Sequence, residues 1–177
     1  MQTFTSPFLP KILTDRGRLL RHLEKAELAI SFHLQKIVPK GSIICAYHPK
    51  SILAKILPNI AKEKNCKIIA IHGTKEAMQA FIKSGTLTYE LPHKADTFLA
   101  EPDGLTADGA LFNPKEVCEL PHNEIIAVGS VLQFTNKRPA NYDVANVSKI
   151  VTEIGTYTPE HLALEIPNAF FWPSSHS

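Results

Sequence analysis

The sequence predicts an α/β fold: a Rossmann-like, mostly parallel sheet flanked by helices and preceded by an N-terminal helix. Three observations carry this expectation. Short runs that are apolar on both faces, "SIICAY", "KIIAIH" and "EIIAVGS", read as strands buried in the middle of a sheet. Between the first two of them lies a stretch that His48-Pro49 opens as a helix, and after the second one that Gly73-Thr74 opens and Gly85 stops. Strands that alternate with helices need crossover connections, and these pair strands in parallel.

Residues 1 to 13 hold Pro7 and Pro10 and read as an extended lead-in. Asp15 can cap a long helix reaching about Val38, because Leu19, Leu20, Leu23, Leu28, Ile30, Phe32, Leu34 and Ile37 approximate a helical period. Pro39-Lys40-Gly41 ends it. "SIICAY" is the first strand, and His48-Pro49 opens a helix through about Lys62, which Pro58 should kink or shorten. "KIIAIH" is the second strand; Gly73-Thr74 opens a helix that stops at Gly85. "LTYEL", "DTFLA" and "EIIAVGS" are expected as the third, fourth and fifth strands. Neither repeats nor linkers interrupt the pattern, so residues 1–177 are expected to form a single domain, with 1–40 as lead-in and helix and 41–177 as the sheet core.

Composition narrows the function classes. With 44% hydrophobic and 20% charged residues the chain reads as a soluble globular protein. The net charge of +2 comes without a basic stripe, so sequence-specific nucleic-acid binding is not expected. The apolar runs fall short of the roughly 20 residues of a membrane span, and the N-terminus lacks the layout of a signal peptide. Cys45, Cys66 and Cys118 are odd in number and match no zinc spacing, which points to a reducing cytoplasm and to no metal held by the cysteines. Cys45 and Cys66 read as buried, inert thiols.

In open α/β sheets ligands sit beyond the carboxyl ends of the strands. There the first strand delivers His48, Lys50 and Ser51, the second His72, Gly73, Thr74 and Lys75, and the fifth Gly129 and Ser130. Two of these ends lead into helix N-termini, which favour an anion, and Lys50 and Lys75 beside them lean towards phosphate. Plainer readings stand alongside: Thr74 as an ordinary N-cap, His48 and His72 as strand-end residues bonded to nearby backbone. The two histidines with Asp103 could also form a metal set, although no local ligand motif supports one. The fourth strand runs into "ADTFLAEPDGLTADGALFN", where Glu101, Asp103 and Asp108 follow the apolar run and Gly104 and Gly109 suggest a flexible loop closing on Asn113.

This last segment resembles a motif of the alpha/beta/delta regulatory subunits of the initiation factor two-B exchange factor and of their relatives, the methylthioribose-1-phosphate and ribose-1,5-bisphosphate isomerases. "GSIICAYHPKSILAKIL", "EIIAVGSVLQF" and "NYDVANVSKIVTEIGTYTPEHL" resemble further family segments in the right order, so the similarity covers roughly residues 40 to 165. It implies a fold like that of ribose-5-phosphate isomerase and CoA transferases. It also implies a phosphosugar or nucleotide at the sheet edge, with Asp103 as the catalytic carboxylate if an aldose–ketose isomerisation takes place. Ligand contacts would come from His48, Lys50, Ser51, His72, Gly73, Thr74, Lys75 and Ser130. Asp108 and Asn113 sit at the lip, pinning the turn through Asx-type hydrogen bonds. No cofactor is implied.

Departures from the pattern are equally informative. The isomerases' catalytic cysteine falls near Tyr47, with Cys45 two residues too early; "EPD" stands for "GAD"; "HGTKEA" replaces an arginine-proline loop; Gln133 replaces a lysine. The resemblance therefore leaves two readings open. One is a ligand-binding, isomerase-like protein. The other is a non-catalytic regulatory or scaffold subunit acting through self-association, a homodimer being expected, or through a protein partner.

Overall fold

The structure, a computed structural model, describes residues 16–121, 124–135 and 139–170. Helix α1 (Arg16–Ile37) leads into β1 (Ile43–Tyr47), α2 (Ser51–Lys64), β2 (Lys67–Ile71) and α3 (Lys75–Ser84). After a 3-10 turn at Pro92–Lys94 come β3 (Thr97–Ala100), β4 (Gly104–Thr106), β5 (Gly109–Phe112) and α4 (Pro114–Glu119). The chain ends with β6 (Ile125–Val128), a 3-10 turn at Val131–Gln133, β7 (Asp143–Ala145), β8 (Lys149–Thr152), β9 (Gly155–Tyr157) and α5 (Pro159–Phe170). The lead-in and the Asp15 cap lie outside the described residues. Among the described residues no helix is long and apolar enough to cross a membrane.

The main sheet has six strands in the order β2-β1-β3-β6-β8-β9, all parallel except the β8–β9 pair. The mostly parallel α/β expectation is met. After β2 the chain returns to the other side of β1, so the strand order reverses between β1 and β3. That reversal opens the crevice where α/β sheets take ligands.

Each face of the sheet has its own apolar layer. Ile30, Leu34, Leu53, Leu57 and Phe81 from α1, α2 and α3 pack on one face. The other face is covered differently from a plain helical layer. Alongside Leu162 and Ile166 of α5 lies a second, three-stranded antiparallel sheet, β4-β5-β7, which contributes Leu105, Phe112 and Ala145.

Three expectations about elements change. "LTYEL" makes only an isolated bridge, Leu87 to Ile68, with Thr88 donating its N–H to the Ile68 carbonyl at 2.8 Å. Beyond that contact the segment leaves the sheet, and Tyr89 is 91% exposed. Of the two effects expected of Pro58, ending the helix does not occur: α2 runs two residues past Lys62 to Lys64 and is capped by Asn65 in the left-handed region at φ 55°. The glycine-containing segment after β3 is the β4–β5 hairpin rather than a flexible loop. Gly109, at φ 149°, lies so close to β7 that a Cβ there would stand 2.4 Å from the Ala145 carbonyl oxygen. Glycine permits close packing here, not mobility.

Candidate functional site

At the carboxyl edge, β1 and β2 end in the same way. His48 and His72 follow the strands directly, and both hold left-handed backbone, at φ 48° and 52°. This is an uncommon conformation for a residue with a Cβ. The two exits are tied together: the His48 N–H donates to the Ile71 carbonyl at 2.8 Å and the Thr74 N–H to the Pro49 carbonyl at 3.0 Å. The imidazole rings stack with centroids 5.6 Å apart and planes at 18°.

Across the strand reversal, Glu101 reaches from the end of β3 into the N-terminus of α2. Its carboxylate is buried and accepts the backbone N–H groups of Lys50 (2.8 Å), Ile52 (2.9 Å) and Leu53 (2.9 Å). Lys50 itself supplies no side-chain cap to the helix, so the distant carboxylate does. Burial pushes the Glu101 carboxyl up, and the three N–H donors and the Lys50 charge draw it partway back. The Lys50 Nζ lies 2.7 Å from Asp103 Oδ1 and 3.7 Å from Glu116 Oε2.

Helix α4 closes over this edge. Asn113 caps it by accepting the Lys115 N–H at 3.1 Å, and Pro114 sits in its first turn. Glu116 Oε1 stands 3.9 Å from His48 Nδ1, while Glu119 Oε2 stands 3.5 Å from His48 Nε2 and 3.6 Å from His72 Nε2. His48 is 3% exposed, and burial holds its pKa below the usual imidazole value against the pull of the two glutamates. His48 Nε2 and Glu116 Oε2 are both buried without a hydrogen-bond partner.

The structure thus brings His48, Lys50, His72 and Asp103 together around α4 and gives the other candidates different roles. Ser51 is exposed at the start of α2, the position where phosphate was expected and where the Glu101 carboxylate now sits. Thr74 is the N-cap of α3, accepting the Ala77 N–H at 3.3 Å, with Lys75 exposed beside it and Gly73 packed against Pro49. Ser130 donates to Glu153 Oε1 at 2.7 Å, and Glu153 also accepts the Val131 N–H. Asp108 is exposed at the hairpin tip, where the turn is held by Thr106 instead: its Oγ1 accepts the Asp108 backbone N–H at 3.2 Å and donates to the Gly109 carbonyl at 3.2 Å. Asn113 does pin backbone, but that of α4. Among the described residues no three His, Cys, Asp or Glu side chains are arranged to hold a metal.

Glu116 and Glu119 are site residues that the sequence analysis does not single out. The sequence "NPKE" carried a usable signal for both: Asn as cap, Pro in the first turn and Glu two residues later start a helix. Tyr47, near the position of the resembled isomerases' cysteine, is buried beside Cys45. Burial raises the phenol to about 12 and the thiol to about 11, so neither is a ready nucleophile. Two open hollows lie outside this cluster of side chains. One, of about 340 Å³, is at the amino ends of β3, β6 and β8 beside Asp96, Phe98 and Lys149. The other, of about 280 Å³, is beside α4 and β7.

No protein-family model and no curated protein matches the sequence. Solved structures do match the fold. The eIF2B beta subunit from Chaetomium thermophilum superposes with a TM-score of 0.64 at 14% identity, over 88% of this chain and 59% of that one. The tetrameric eIF2B-beta2-delta2 complex from C. thermophilum gives 0.66 at 14% identity, over 88% and 63%. The translation initiation factor eIF-2B of Pyrococcus horikoshii OT3 gives 0.63 at 16% identity, over 82% and 70%. This chain therefore spans 59% and 63% of the two C. thermophilum chains, and what it shares with all three structures is the fold of the eIF2B subunits.

Proposed function

We propose that this chain is an initiation-factor-2B-like protein of the non-catalytic kind, a regulatory or scaffold module that acts through self-association or a protein partner. The observation that carries the reading is Glu101. Its carboxylate fills the α2 N-terminus at the strand reversal, the place where this fold class would seat a phosphate, and Asp103 neutralises the adjacent Lys50. The position of the resembled isomerases' cysteine also offers no ready nucleophile, because burial raises Tyr47 to about 12 and Cys45 to about 11. Association is supported by the C. thermophilum beta and delta subunits, which form a tetramer. Three free cysteines suit a cytoplasmic setting.

A second reading, a regulatory site for a phosphosugar or nucleotide, is favoured by one observation. The buried His48 Nε2 and Glu116 Oε2 have no hydrogen-bond partner at the same edge. Sedimentation velocity over a wide concentration range, paired with thermal shifts in ribose 5-phosphate and AMP, separates the two. The module reading expects species heavier than 19.6 kDa and unchanged melting. A 19.6 kDa monomer at every concentration, stabilised by either ligand, would overturn it.

A further inference from the structure

We propose that α4 is a proton-sensitive latch over the carboxyl edge of the sheet, closed while His48 is neutral and released when His48 takes a proton. The latch is built from groups on four segments. Helix α4 brings Glu116 and Glu119 over the ring, the β1 exit brings Lys50 (paired behind with Asp103), the β2 exit brings the stacked His72, and β5 brings Phe112 with its ring centroid 6.3 Å away. Together they leave His48 3% exposed.

A neutral ring tolerates this enclosure better than a charged one. Neither glutamate makes a hydrogen bond to the imidazole: the separations are 3.9 and 3.5 Å, and Nε2 has no partner. Glu119 is 41% exposed, so solvent screens part of its attraction, while the Lys50 ammonium opposes a second positive charge. A proton on His48 is therefore poorly compensated while α4 is down. Lifting α4 gives the imidazolium water, so acid favours the open form. The sign follows from the burial-depressed pKa: a base whose folded pKa is lowered contributes stability above its unfolded pKa, and this is lost as pH falls. Release would also uncover Lys50 and Asp103, so the latch controls access to the edge whichever reading of its function holds.

Cys118 lies on α4 and is exposed, whereas Cys45 and Cys66 are buried, so a nitroxide can be placed on α4 without further substitution. The expected result is a label that becomes markedly more mobile as pH falls from about 7.5 to about 5.5, and whose mobility no longer depends on pH in His48→Asn, since Asn tolerates left-handed backbone. Mobility independent of pH, or decreasing in acid, overturns the proposal, as does loosening that extends to the amide protection of α3. If His48→Asn does not fold, NMR titration of His48 in the native chain decides. A His48 midpoint below about 6.5 that the α4 amides follow supports the latch; a midpoint at or above it, or α4 amides that do not change as His48 titrates, overturns the proposal.

Discussion

The Nζ of Lys50, just past β1, lies 2.7 Å from Oδ1 of Asp103, just past β3, and the pair bridges the reversal in strand order. The two residues that a sugar phosphate would recruit are thereby engaged with each other. Asp103→Asn should lower stability by no more than about 1 kcal/mol, since both side chains are partly exposed. It should also free Lys50, so that inorganic phosphate raises the melting temperature of the variant more than that of the native chain. Parallel thermal melts with and without phosphate check this. A variant that melts much earlier and ignores phosphate would mean that the pair is structural.

Thiol reactivity offers a second check. Cys45 is wholly buried with its pKa raised to about 11, Cys66 is buried at the end of α2, and Cys118 is exposed on α4. The thiolate is the reactive species. Ellman's reagent should therefore modify one thiol quickly in the native protein and the other two only on unfolding. Rapid modification of Cys45 would show that the face beneath the small sheet opens easily.

How much of this was legible in the sequence depends on the range of the interaction. Strands β1, β2, β3 and β6 announce themselves because both of their faces are apolar. The ends of α3 are written locally, in the Thr74 cap and in Gly85 at φ 70°. Strands β4, β7 and β9 have only three residues each, too few for a readable alternation, and Gly109 looks like a loop residue until β7 packs against it. Lys50 and Asp103 were each identifiable as edge residues. Their pairing across 53 positions follows only from β1 lying beside β3. The same long range hides Glu101 as the cap of α2, because capping is normally sought within one turn of the helix.

Gly109 tests the hairpin. At φ 149° a substitution is strained in any surroundings, and a Cβ would meet the Ala145 carbonyl oxygen at 2.4 Å. Gly109→Ala should cost about 2–4 kcal/mol and weaken the β5–β7 pairing, whereas Gly41→Ala, with open space around it, should cost about 1 kcal/mol. Urea unfolding of both variants checks the contrast. Equal costs would mean that only backbone conformation, and not the contact with β7, makes glycine necessary.

The most informative substitution is Glu101→Ala. It leaves three N–H groups at the start of α2 without their acceptor and a small space at the positive end of a 14-residue helix. Losing these charge-assisted bonds should destabilise the chain by about 2–4 kcal/mol, less than their gross sum because the buried carboxylate itself is costly to desolvate. That desolvation sets the pH dependence. The folded pKa of Glu101 is raised, so its ionisation opposes folding; the group's contribution is greatest below the ordinary glutamate value of 4.5 and declines as pH rises through the folded pKa. The stability gap between the native chain and Glu101→Ala should therefore narrow on going from acid to neutral pH. Phosphate or sulfate should recover part of the loss, because an anion can take up the vacated N–H groups as the carboxylate did. Denaturant melts of both proteins across pH, with phosphate and with chloride, measure all three effects. Recovery by phosphate alone would identify the α2 N-terminus as an anion site that this chain fills with its own side chain. If no anion restores stability, Glu101 is simply part of the packing between β3 and α2.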